Sequence, residues 1–138
     1  MHDASKVLLG AVESSFKDIS SKAGVIPAGK AVRLKSDDTL SLALADGSLL
    51  GISCGRDLSN TSFTSIVRRG SKVPILLTSA FTPTVGAQVA IDDVTGLAKA
   101  PGSGVTGVNA VYLSGVLTGI DEDGNSVNCA LIDMPGGL

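Results

Sequence analysis

The sequence predicts a small all-β domain, a β-barrel or β-tulip, and three observations lead there. Turn dipeptides sit between short apolar runs, at Asp46-Gly47, Thr95-Gly96 and Asp123-Gly124, and Asp-Gly suits a two-residue hairpin because both central positions need positive φ. Hydrophobic residues make up 43% of the chain but aromatics only 3%, so the core is aliphatic. The stretch Tyr112 to Asp133 reads as two strands around one of those turns, apolar on both faces near its base and charged at its tip. A sheet lying on one core would alternate apolar with polar. This ribbon wants cover on both sides, from a closed barrel, a second sheet or a neighbouring subunit.

At 138 residues the chain is about one domain, able to bury a core of its own. Met1 to Gly24 differs in composition from the remainder and reads as an N-terminal arm. Ala4, Val7, Leu8, Ala11, Val12, Phe16 and Ile19 recur at helical spacing, with Asp3 or Ser5 as N-cap. That spacing predicts a helix over Ser5 to Phe16, although Gly10 weakens it and the run SSFKDISS equally suits an extended chain. Such a segment is marginal alone in water and must pack on its own domain or on a partner.

From Val25 onward the punctuation is that of a β protein. Ala31 to Lys35 follows the Pro27-Ala28-Gly29 turn, and Leu40 to Ala45 and Leu49 to Cys54 flank Asp46-Gly47. After a polar loop, Phe63 to Arg69 and Lys72 to Thr78 read as two strands across Arg69-Gly70-Ser71, with Pro74 marking an edge or an interruption. Ala87 to Asp92 and Leu97 to Ala100 bracket Thr95-Gly96, and the glycine-rich Pro101 to Asn109 reads as the most mobile segment. In the closing hairpin, Glu122 opposite Asn125 puts Ile120 with Val127, Thr118 with Cys129 and Val116 with Leu131 on one side. Leu117 with Ala130, Gly115 with Ile132 and Leu113 near Met134 take the other. A weak internal echo joins Gly29-x-x-Val32-x-Leu34 to Gly86-x-x-Val89-x-Ile91, and Leu50-Gly51-Ile52 to Thr118-Gly119-Ile120. It suits a pseudo-symmetric barrel, with chance recurrence as its competitor.

Chemistry finds little footing. The single histidine, His2, sits at a terminus, so a Ser/His/Asp or Cys/His arrangement has no base. Cys54 and Cys129 lack CxxC spacing and a histidine partner, which removes a zinc site. Both read as small buried hydrophobes, and a bond between them stays open at this level. Asp121, Asp123 and Asn125 resemble the start of a calcium loop, but Ser126 to Leu131 continues as strand and no glutamate closes it. Gly102 to Gly107 loosely evokes a phosphate loop without its Lys-Ser/Thr ending. Asp37-Asp38 and Asp92-Asp93 are the other carboxylate pairs, and the scarcity of aromatics argues against a sugar cleft. No cofactor or metal is expected, and the protein reads as a non-enzyme.

The formal charge of −2 argues against nucleic acid as partner, and Arg68, Arg69 and Lys72 make only a small basic patch. Nine of the eleven Lys/Arg fall in Met1 to Arg69, while Gly70 to Leu138 holds two against six acids. No apolar run approaches the roughly 20 residues that span a bilayer, and no secretory signal is evident. The expectation is a soluble protein with no membrane partner.

Ala28-Gly29-Lys30-Ala31-Val32, Leu50-Gly51-Ile52, Val85 to Asp92 with Gly96-Leu97, and Leu117-Thr118-Gly119-Ile120 with the closing strand resemble the decoration (cement) proteins of tailed-bacteriophage capsids. The resemblance covers roughly Val25 to Leu138 and is a pattern of glycines and aliphatics. It implies a β-barrel or β-tulip domain, commonly trimeric, with an arm reaching a neighbour. It further implies a virion protein, made in the host cytoplasm, that sits on the outer capsid surface and clamps major capsid subunits. On this expectation residues 1–24 supply contact to other subunits or to the capsid, and 25–138 form the trimeric body. The contact residues would be Val7, Leu8, Val12 and Phe16 from the arm, with Leu113, Leu117 and Ile132 from the ribbon. A tail or baseplate β module and a small-molecule or sugar-binding β-barrel are the competing readings.

Overall fold

The structure, a computed structural model, describes residues 12–18, 26, 28–36, 39–42, 48–56, 63–120 and 124–138. Among these the chain is all-β, with no helix. Nine strands follow in order: β1 (Val12–Asp18), β2 (Ala31–Leu34), β3 (Thr39–Ser41), β4 (Ser48–Arg56), β5 (Phe63–Leu76), β6 (Gln88–Asp92), β7 (Val105–Tyr112), β8 (Leu117–Ile120) and β9 (Ser126–Met134).

The first half curls into a ring. β1 pairs with β3, β3 with β2, β2 with β4, β4 with β5, and β5 returns to β1. The β1–β3 pairing is parallel and the others are antiparallel. A ring of this kind leaves no open edge for foreign strands. The second half is a sheet in the order β5–β9–β7–β6, with β8 on β9 beyond the end of β7.

β5 belongs to both. Its first part pairs with β1 and β4, and its second, from Gly70, with β9. The expected turn at Arg69-Gly70-Ser71 is therefore a bulge in one 14-residue strand. Lys72 takes a left-handed φ of +57° there, and the extra residue bends the strand from one sheet into the next. Pro74 lies opposite Leu131 of β9; with no N–H to offer, it fits a stretch that pairs as strand on one side only.

Burial follows strand alternation. Val108, Ala110 and Tyr112 of β7 and Ala130, Ile132 and Met134 of β9 point inward, joining Ile52, Val67, Val73, Ile75, Val89 and Ile91 in the main core. A smaller cluster of Ile26, Val32, Leu40 and Ile66 fills the ring. Gly51 is needed where β4 crosses β5, because a Cβ there would collide with the Val67 carbonyl oxygen and sit 2.7 Å from Ile66 Cγ2.

Three expectations are corrected. The predicted helix is a strand over its last part, Val12 to Phe16; a four-residue spacing fits both periods, and pairing with β5 and β3 decides for the strand. The rest of that helix, Ser5 to Ala11, lies outside the described residues. Strand β7 begins at Val105, inside the segment read as mobile. The closing hairpin is shifted by one residue: Leu117 faces Cys129, Thr118 faces Asn128, Gly119 faces Val127 and Ile120 faces Ser126. Its first strand is also broken. At the break the Ser114 hydroxyl accepts from the Leu131 N–H at 2.9 Å, and the Leu113 N–H donates to the Leu131 carbonyl at 2.8 Å.

Candidate functional site

Strand β8 is the open edge of the second sheet: among the described residues it pairs only with β9. Along it and the end of β7 runs an apolar ridge. Val111 is 38% exposed, Leu113 and Val116 39%, Leu117 42% and Ile120 71%. Apolar side chains on both faces of a strand whose backbone edge is unpaired form a surface suited to contact with another chain.

Of the residues expected to make contacts, Leu113 and Leu117 lie on this ridge. Ile132 does not: it is wholly buried in the chain's own core, because the register alternates Ala130, Ile132 and Met134 inward. Val12 and Phe16 lie in β1, a strand of the ring rather than a detached arm. Val7 and Leu8 lie outside the described residues. Sequence reasoning left out Val111, and it put Val116 and Ile120 on the opposite side of the ribbon from Leu113 and Leu117. Leu117 and Ile120 do stand on opposite faces of β8, three residues apart, and the one-residue slip changes only which β9 residues they meet.

A second feature lies where β5 leaves the ring. A pocket of about 260 Å³ is walled by Ile52 to Cys54 of β4, Val67 and Val73 to Leu76 of β5, Gly119 and Ile120 of β8, and Val127 and Cys129 of β9. The turn at Ala28-Gly29 also lines it. The Gly29 N–H donates to the Ser53 carbonyl at 2.7 Å, and the Leu76 N–H donates to the Gly29 carbonyl at 2.8 Å. Gly29 has a φ of +90°, which a turn this tight asks of glycine. Cys54 and Cys129 form no disulfide and are half-buried in the lining. Burial raises the pKa of the Cys129 thiol, so it stays protonated at neutral pH. Sequence alone could not join two cysteines so far apart in the chain.

The polar clusters resolve into structural roles. The Asp92 carboxylate accepts from the backbone N–H groups of Val94 at 2.9 Å and Thr95 at 3.0 Å, and Lys99 Nζ lies 3.4 Å away. It staples the turn that follows β6. Asp93 accepts from the Thr106 hydroxyl at 2.6 Å. Gly104 offers its carbonyl to the Asp93 N–H at 2.9 Å and leads straight into β7, so this loop is tied to the β6 turn. Arg68, Arg69 and Lys72 are solvent-exposed, and the two arginines border a shallow depression beside Gly136 to Leu138. Among the described residues no three His, Cys, Asp or Glu side chains converge to hold a metal, and no helix is long and apolar enough to cross a membrane. His2, Asp37, Asp38, Asp121 and Asp123 lie outside the described residues.

Comparison with protein-family models, with curated proteins and with solved structures finds no match to this chain.

Proposed function

We propose that the protein acts by contact, as a capsid decoration (cement) protein that binds the outer face of a tailed-phage head and ties neighbouring major capsid subunits together. The observation that carries this reading is the apolar ridge from Val111 to Ile120 on the open edge of the second sheet. Its area is modest, but a protein that touches several subunits at once multiplies modest contacts by avidity. The pattern of glycines and aliphatics that resembles the cement proteins supports the same reading, as does the all-β body. The partners are then the major capsid protein and further copies of this chain, with a trimer as the working assembly.

The test is to mix the purified full-length protein with expanded empty heads of the virus that encodes it and to image them. Added density on the outer face, at a symmetry axis, is the expected result. Bare heads, or density only on tails, would overturn the reading, the second in favour of a tail or baseplate module. An arm deletion should stop at Ala11, since removing residues as far as Gly24 would take β1 out of the ring. If the arm makes capsid contact, the shorter deletion leaves a folded body that occupies heads poorly.

A further inference from the structure

We propose that the pocket between β4–β5 and β8–β9 binds one uncharged, largely apolar small molecule of bicyclic size. Among the described residues no charged side chain lines it, so a charged guest would lose its hydration without gaining a partner there. The polar groups in the wall are few and partly engaged: the Ser53 hydroxyl accepts from the Lys30 N–H at 3.1 Å, and the Cys54 thiol lies 3.9 Å from the Ile52 carbonyl oxygen. A cavity of roughly 150 Å³ lined by aliphatics and Phe admits benzene. The 260 Å³ available here suits two fused rings or an aliphatic group of similar bulk. It is small beside the roughly 300–1,000 Å³ of pockets for larger ligands.

The walls favour a small molecule over a peptide. Ile52, Val67, Val73 and Ile75 are core residues, so the floor is fixed before any guest arrives. The stitch through Gly29, which itself lines the pocket, ties the β4 and β5 walls to each other. Gly119 keeps the β8 wall thin: a Cβ there would stand 3.5 Å from Cys129 Sγ and 3.7 Å from Val127 Cγ2, without backbone strain. Side chains larger than alanine at this position would take up the space the guest needs. Cys54 in the β4 wall and Cys129 in the β9 wall report on the pocket from two sides. This proposal is independent of binding to capsids.

The experiment uses prodan, an uncharged naphthalene whose emission moves to the blue in apolar surroundings, titrated with the full-length reduced protein. Saturable binding of one probe per chain is expected. Alkylation of Cys54 and Cys129 by iodoacetamide, read separately by mass spectrometry, should slow at least about fivefold for both when the pocket is saturated, since reaction needs access to the thiol. Gly119→Val should weaken the probe at least about tenfold while keeping the wild-type melting curve, as filling a preformed pocket excludes its guest. Wild-type protein with both thiols capped by N-ethylmaleimide should lose the probe in the same way, which keeps the test sound if the variant folds poorly. No saturable signal would overturn the proposal. So would binding that survives both the variant and capping with thiol rates unchanged, which would put the probe on the exposed ridge. Thiol protection that rises with protein concentration and ignores prodan would also sink it, in favour of a side chain from a second copy.

Discussion

The Arg33 guanidinium, wholly buried on β2, stands 3.8 Å from the Asp93 carboxylate at the end of β6, so that one ion pair joins the ring to the second sheet. Arg33 Nη1 also donates to the Leu42 carbonyl at 2.8 Å, while Nε and Nη2 make no hydrogen bond among the described residues. Burial lowers the Arg33 pKa from its ordinary value, and the nearby Asp93 charge opposes that shift. The Ala31 N–H donates to the Gly96 carbonyl at 2.8 Å close by. The two halves of the chain are thus clipped together at the start of β2.

A buried charge that keeps its place mainly through one carboxylate makes an asymmetric prediction. Asp93→Asn retains an acceptor for Thr106 but removes the negative charge, and it should cost about 3 kcal/mol. Arg33→Met replaces the guanidinium with an apolar chain, should cost about 1 kcal/mol or less, and should rescue most of the loss in the double variant. Urea unfolding of the four proteins measures this. An Asp93→Asn loss no larger than that of Arg33→Met would show that the pair does not hold the charge in place.

Much of the fold was legible where local chemistry decides it. Gly29 at φ +90° and Gly86 at φ +86° each open a strand two residues later, and Val32 and Val89 after them are fully buried. The first part of the internal echo is therefore real in three dimensions. The second part is not, since Gly51 lies on β4 opposite β2 whereas Gly119 lies on β8 opposite β9. What escaped was set at a distance. Nothing local tells whether Gly70 makes a turn or a bulge; β9 and β4 decide by pairing with successive parts of β5. The ridge was half visible as exposed leucines, and the pocket was invisible because its walls come from four strands.

The Asp92 staple predicts an acid dependence. Backbone donors from Thr95 and then Val94, with Lys99 adding, hold its carboxyl down from 3.8 to about 2. A carboxyl with a folded pKa below its unfolded one stabilises the fold above the unfolded value, and that contribution fades as pH falls through the folded value. Wild type should therefore exceed Asp92→Ala by on the order of 1 kcal/mol above pH ~4, with the gap closing toward pH ~2. Urea midpoints at stepped pH would check it. A gap unchanged across that window would assign the staple no role for charge.

Gly51 is a position where the smallest addition should be costly. It sits opposite Val32 of β2 and against the Val67 backbone of β5, neither of which is a flexible side-chain end. Gly51→Ala should force β4 away from β5 and cost at least about 2 kcal/mol, as overpacking does in a tight core. Thermal or urea unfolding reads it directly. A change below about 0.5 kcal/mol, the range of ordinary surface substitutions, would mean that the two strands part without strain.

The ridge on β8 carries the last prediction. Leu117 is 42% and Ile120 71% exposed, so lysine at both positions leaves the buried core intact and should leave the unfolding midpoint close to that of wild type, within about 0.5 kcal/mol. Charge on an open strand edge is also a known deterrent to pairing with another strand. If the ridge makes the contacts between copies, wild type should scatter light as an oligomer while Leu117→Lys with Ile120→Lys scatters as a single chain. The same double variant should fail to decorate heads that wild type covers. An oligomer that survives both lysines, with the fold unchanged, would move the subunit contact to another face of the molecule.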